Sequence, residues 1–236
     1  MAVDAAGVAA QYEQEGYALL PELFSAALCR QWKAECGRIL DGLRRERPGV
    51  GDPALFPGGV FVGLAQRSPV FAAAAAAPAV LQVLTAVLGA DIEFLSDKVV
   101  FRNATEGEAS PWHQDYPYWG GCHKASLWIA LDRVTPENGC LRLLPGTHRG
   151  EVRHDQVASS HGFGVRVQGQ DDARAVDAVL EPGGAVLFHD LTLHASYPNR
   201  SGADRWAIIT TYRPARAPEP ERLAWPAARL VAGARA

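Results

Sequence analysis

The chain has 236 residues, 48% of them hydrophobic, and a formal net charge of −3. That length and apolar share suit one domain with a sizeable core, and the mild acidity offers no electrostatic case for nucleic acid. The four cysteines, Cys29, Cys36, Cys122 and Cys140, form no CxxC pair, so a disulfide framework is not expected.

The predicted elements begin with an Ala-rich helix over residues 4–15, stopped at Gly16. Tyr17-Ala18-Leu19-Leu20 reads as a short strand before Pro21. Ser25 is placed to cap a second helix running to about Arg45, along which Leu28, Trp32, Cys36, Ile39 and Leu43 recur at helical spacing. On that helix Cys29 and Cys36 are apolar fillers, and Arg44-Arg45-Glu46-Arg47 is its solvated end. Residues 49–59, rich in Gly and Pro, read as a loop. Helices over 69–76 and 78–88 follow, the second closed by Gly89. The apolar run Phe71 to Ala77, ended by Pro78, is too short to span a bilayer.

From residue 91 the character changes to short strands: Ile92–Ser96, Val99–Phe101, Ser126–Leu131, Cys140–Leu144, Ala185–Phe188 and Trp206–Tyr212. Turn signals separate them at Pro136-Glu137-Asn138-Gly139, Pro145-Gly146 and Pro182-Gly183-Gly184. This pattern predicts a mainly β protein with flanking helices, built on a jelly-roll core of two sheets. The expected organisation is one domain over 1–236, mainly helical to residue 90, with the jelly roll over 91–215. The polar stretch 151–178 reads as an insertion between strands, the kind of long loop that covers a site.

Chemistry concentrates in a divided triad. His113 and Asp115 sit two apart, so a strand would present them on one face. His194 follows roughly eighty residues later, in Leu193-His194-Ala195-Ser196. Two imidazoles and one carboxylate on one face of a metal leave positions open for small ligands, as in non-haem Fe(II) oxygenases. Arg205, eleven residues past His194, is placed to hold the far carboxylate of 2-oxoglutarate. A jelly-roll isomerase or hydrolase using another metal is the competing reading, and it would need no Arg205.

Trp112-His113-Gln114-Asp115, Trp128-Ile129-Ala130-Leu131-Asp132 and the run Pro136 to His148 closely resemble the phytanoyl-CoA dioxygenase family. So do Gly183 to His189, His194 to Ser201, and Arg205. The resemblance covers roughly residues 90–215. It implies a double-stranded β-helix (cupin-like) fold using Fe(II), 2-oxoglutarate and O2. It assigns His113, Asp115 and His194 to iron, Arg205 and Ser196 to the distal carboxylate of 2-oxoglutarate, and Gln114 and Trp128 to the lining of the cosubstrate pocket. Related halogenases carry a small residue where Asp115 stands, so hydroxylation is expected here. Arg102 stands where relatives often have Lys, and whether Lys98 or Arg102 reaches the pocket is left open.

The expected substrate is a small metabolite or natural-product intermediate, met by Tyr116, Tyr118, Trp119, Phe61 and Arg142 at the pocket rim. No acyl-CoA site is legible, because no basic patch for its phosphates is present. His148 is expected to fix a turn; His189, five residues before His194, is read as a plain structural residue, with support of the metal histidine as the alternative; His123, His154 and His161 are expected to face solvent. Met1-Ala2-Val3-Asp4 lacks the basic and apolar segments of a signal peptide, so a cytoplasmic monomer or homodimer with no membrane partner is expected.

Overall fold

The computed structural model describes residues 3–46, 60–102, 109–119, 122–156, 164–217 and 225–234. Helix α1 (Ala5–Glu15), capped by the Asp4 side chain and ended by left-handed Gly16, leads into strand β1 (Tyr17–Leu20). Helix α2 (Ala26–Glu46) starts where Ser25 Oγ accepts the Leu28 N–H. A short strand β2 (Val60–Val62) and helices α3 (Leu64–Arg67), α4 (Pro69–Ala74) and α5 (Pro78–Leu88) follow. The loop expected over 49–59 lies outside the described residues, and β2, just past it, was not foreseen.

The residues expected as two strands, 92–96 and 99–101, form one strand, β3 (Ile92–Arg102). The polar Ser96-Asp97-Lys98 between them does not break it, because each side chain has a place. Asp97 accepts the Ala65 N–H on the helix-covered face, while Lys98 lines a cavity on the other. The chain continues through β4 (Ala125–Ala130), β5 (Leu141–Leu143), β6 (Asp155–Gln156), β7 (Val165–Arg166) and β8 (Val176–Asp177). It ends with β9 (Ala185–His189), β10 (His194–Ser196), β11 (Arg205–Pro214) and β12 (Arg229–Ala232). The stretch 151–178 is not wholly an insertion, since β8 pairs with β5 and completes the smaller sheet. Its residues 157–163, with His161, lie outside the described residues.

All pairings are antiparallel. The larger sheet runs β1-β9-β4-β11-β3-β12, with β2 also on β3, and the smaller runs β10-β5-β8. Together with the flanking helices these sheets make a mainly β, cupin-like jelly roll. Alternation along the larger sheet sorts its side chains. Phe61, Phe94, Val99, Leu127, Ile129, Leu187 and Ile208 pack with the helices, joined by Trp32, Phe71 and Leu84. The opposite face, carrying Trp128, Val186 and Ala207, packs against Leu141 and Leu143 of the smaller sheet. No helix among the described residues is long and apolar enough to cross a membrane.

Asp97 is a titratable group inside this scaffold. It is 2% exposed, its Oδ2 accepts from Ala65 at 2.7 Å, and its Oδ1 has no partner among the described residues. Burial pushes its carboxyl up to about 6, against the backbone hydrogen bonds that lower it. A raised carboxyl stabilises the fold while protonated, and that contribution is lost as pH climbs from about 4 through about 6. Asp97→Asn removes the buried charge, so its stability relative to wild type should improve by roughly 2–3 kcal/mol between pH about 4 and pH about 8. Urea unfolding at the two pH values measures this; a constant difference would show that Asp97 does not titrate as its burial dictates.

Candidate active site

His113 and His194 are joined by an isolated antiparallel bridge, each backbone N–H donating to the other's carbonyl at 3.0 Å. The bridge brings two distant chain segments together and puts the imidazole centroids 4.2 Å apart. His113 Nδ1 lies 2.8 Å from the Pro111 carbonyl and His194 Nδ1 lies 2.9 Å from the Thr192 carbonyl. A carbonyl can only accept, so each Nδ1 carries a proton, and each Nε2 is the ring nitrogen turned toward the other side chains of the cluster. Those Nε2 atoms converge on Asp115 Oδ1, at 3.7 and 3.8 Å. The three donor atoms lie within 4.8 Å of one another and are largely buried. Burial, reinforced by His194, pushes the His113 imidazolium down to about 3, which keeps the ring neutral. A largely buried set of two imidazoles and one carboxylate of this kind fits a divalent metal ion.

Asp115 is held from behind. The Asp190 carbonyl accepts the N–H groups of Asp115 (2.9 Å) and Tyr116 (3.1 Å). Asp190 is itself fixed by its carboxylate, which accepts the Lys124 N–H at 2.9 Å and lies 3.1 Å from His123 Nδ1 and 2.9 Å from His189 Nδ1. The sequence offered no signal for Asp190 beyond its place just after a strand. His189 thus lies beside Asp190, while His148 ties its turn to α1 through the Glu13 carbonyl at 3.1 Å.

The cavity beside the triad, of about 420 Å³, runs between the two sheets. Arg102 and Arg205 face each other across β3 and β11 at its end, 5% and 2% exposed. Directly opposed like charges on neighbouring strands destabilise a sheet unless an anion sits between them. Arg205 Nε donates to the Asn138 carbonyl at 3.4 Å, its guanidinium lies 5.4 Å from the Trp128 ring centroid, and its buried Nη1 has no partner among the described residues. Burial, and then Arg102, push Arg205 down to about 9. Ser196 Oγ accepts the Ser110 N–H at 3.0 Å, leaving its hydroxyl hydrogen to donate into the cavity. Gly139, at φ 90°, lets the Pro136–Asn138 turn approach, since a Cβ there would meet the Tyr197 carbonyl at 2.8 Å. An orphaned guanidinium nitrogen, a hydroxyl and a second arginine fit a carboxylate.

Of the other expected residues, Trp128, Tyr118 and Trp119 line this cavity, as do both Lys98 and Arg102. Four do not. Gln114 is fully buried and turned away: its amide donates to the carbonyls of Gly150 and Leu191 and accepts from Val152, and its backbone N–H donates to His154 Nε2. Phe61 points into the helix-covered core, and its strand neighbours Val60 and Val62 face the cavity in its place. Tyr116 stacks on His123, with centroids 4.9 Å apart. Arg142 lies 3.3 Å from Asp172 and 3.7 Å from Asp177, sandwiched between Trp112 and Tyr197.

The model of the phytanoyl-CoA dioxygenase (PhyH) family matches residues 12–207. L-proline trans-4-hydroxylase of Streptomyces griseoviridis is 28% identical over 159 residues, which cover 57% of this chain and 59% of that enzyme. The chain is similar to the solved non-haem monooxygenase ThoJ, with TM-score 0.79 and 27% identity, covering 96% of this chain and 84% of that one. It is also similar to EvdO2 from Micromonospora carbonacea var. aurantiaca complexed with 2-oxoglutarate, with TM-score 0.73 and 26% identity over 96% of each chain. By this match over most of its length, the chain belongs to the phytanoyl-CoA dioxygenase family.

Proposed function

We propose that the protein is an Fe(II)- and 2-oxoglutarate-dependent dioxygenase. Its reaction is hydroxylation of an unactivated C–H bond in a small metabolite or natural-product intermediate, with succinate and CO2 as coproducts. The observation that carries this reading is Arg205: a buried guanidinium, opposed by a second arginine and with one nitrogen unpartnered, beside a two-histidine, one-carboxylate cluster. An isomerase or hydrolase built on the same triad would have no use for that cationic end.

His113, Asp115 and His194 would hold the iron. Arg205 and Arg102 would take the distal carboxylate of 2-oxoglutarate, with Ser196 donating its hydroxyl hydrogen to the same group. Bound iron, together with 2-oxoglutarate and O2, supplies the oxidant for C–H hydroxylation. The chain's part is to bind, orient and exclude water. Trp128 fixes the guanidinium plane from one side. Val60, Val62, Val100 and Ile209 keep the cavity wall dry, and Tyr118 and Trp119 face the substrate at the mouth. Resemblance to an L-proline hydroxylase supports a small substrate. The four free, buried thiols support a reducing, cytoplasmic setting.

Two measurements test this reading. Purified protein given Fe(II), 2-oxoglutarate, O2 and a panel of small metabolites should release succinate in step with a product that has gained one oxygen atom. Product formed without consumption of 2-oxoglutarate would favour the isomerase or hydrolase reading. Arg205→Met should weaken 2-oxoglutarate binding about tenfold to a hundredfold, the cost of a lost charge-assisted pair, while leaving metal affinity unchanged. Calorimetry that found equal 2-oxoglutarate affinities would remove Arg205 from the site.

A further inference from the structure

Lys98 carries a positive charge into the cavity, and its field reaches His113 of the triad. It stands in a cross-strand row with Val62, Ile209 and Trp128, and all four face the cavity. Arg102 lies four residues further along the same strand face, roughly 13 Å away at the strand rise of about 3.3 Å per residue. The described lining therefore holds three cations, Lys98, Arg102 and Arg205, against one carboxylate, Asp115. Asp115 belongs to the triad, and Arg102 and Arg205 oppose each other at the far end. Lys98 is half-buried, and no carboxylate among the described residues pairs with it. With its stem beside Val62 and Ile209, its ammonium is placed to meet an anion that enters the cavity.

Resting on the oxygenase reading above, we infer that the substrate is a carboxylic acid whose carboxylate is bound by Lys98 and whose apolar or aromatic body lies against Val60, Val62 and Ile209. A single compact ammonium matches one negative charge. A phosphate monoester carries about −1.5 to −2 and several strong acceptors, which call for arginine forks or more donors than this row supplies. Lys98 thereby selects acids over their neutral analogues and fixes which end of the molecule points away from the arginine pair.

The test uses the full chain loaded anaerobically with Fe(II) and 2-oxoglutarate. Formation of that complex is checked first, so its absence would count against the oxygenase reading and not against Lys98. Matched pairs of aryl- and alkylcarboxylic acids and their primary amides, for example 3-phenylpropanoate and 3-phenylpropanamide, are then titrated by calorimetry. At least one acid should bind about tenfold or more tightly than its amide, a preference of the size one desolvated charge pair supplies. Lys98→Met should abolish the preference with 2-oxoglutarate affinity retained, and Lys98→Glu should turn it toward the corresponding amine, 3-phenylpropylamine. The inference is overturned if no acid outbinds its amide, or if the preference survives in Lys98→Met. A tenfold loss of 2-oxoglutarate affinity in Lys98→Met would assign the lysine to the cosubstrate end and overturn it as well.

Discussion

Two backbone hydrogen bonds between His113 and His194, each 3.0 Å, hold the site together. The bridge joins segments about eighty residues apart, and the bonds Ser196 N–H to the Ser110 carbonyl, Ser110 N–H to Ser196 Oγ and Asp115 N–H to the Asp190 carbonyl join the same segments on either side of it. The surrounding structure serves the bridge. Leu144 N–H donates to the Leu193 carbonyl, Thr147 Oγ1 accepts the Leu193 N–H, and Thr192 Oγ1 donates to the Gly16 carbonyl, so two distant segments, 144–147 and the turn at Gly16, pin the approach to His194. On the other side Gln114 and the Asp190 carbonyl pin the approach to Asp115. Hydrogen bonds at Nδ1 then fix ring orientation and tautomer, a role that carbonyls fill beside many metal-binding histidines.

The second constraint is charge. Two buried arginines opposed across adjacent strands are unfavourable by themselves, and burial alone already weakens the hold of Arg205 on its proton. Such an arrangement persists when function needs it and the rest of the sheet is stable enough to carry it. Here the larger sheet has a core on both faces, with the helices on one side and the smaller sheet on the other. The cationic end, the metal residues and Lys98 all occupy the face between the sheets, so binding energy from an anionic ligand is directed toward one cavity.

Much of this was legible in the sequence because it depends on local pattern. Helical spacing from Leu28 to Leu43, the stop at Gly16 and the Pro-Glu-Asn-Gly turn each specify their own conformation. The triad and Arg205 were legible through motif and spacing. What failed depends on strand parity and register, which no local pattern fixes. Phe61 was assigned to the rim because it is aromatic and near Gly-rich sequence, but β2 pairs with β3 so that Phe61 lies opposite Val99 on the core face. Gln114 was given to the pocket by the family resemblance, yet a side chain between two residues of one face points to the other, where three backbone groups absorb its amide. Arg142 was placed at the pocket rim, but Asp172 and Asp177, from a stretch read as an insertion, reach it first. The two-residue strands carry too few side chains to show a period. Asp190 could not be read from sequence at all, since it supports Asp115 mainly through its backbone carbonyl.

The most direct test is an anaerobic titration of the protein with Fe(II) and then 2-oxoglutarate, following the visible charge-transfer absorption of the chelated pair. The geometry requires a band that appears only when both are present and saturates at one of each per chain. It also requires that His194→Ala, folded by circular dichroism, fail to produce that band. A band that persists in His194→Ala, or Fe(II) bound by the wild type with no band on adding 2-oxoglutarate, would contradict the assignment of this cluster as the site where iron and 2-oxoglutarate meet.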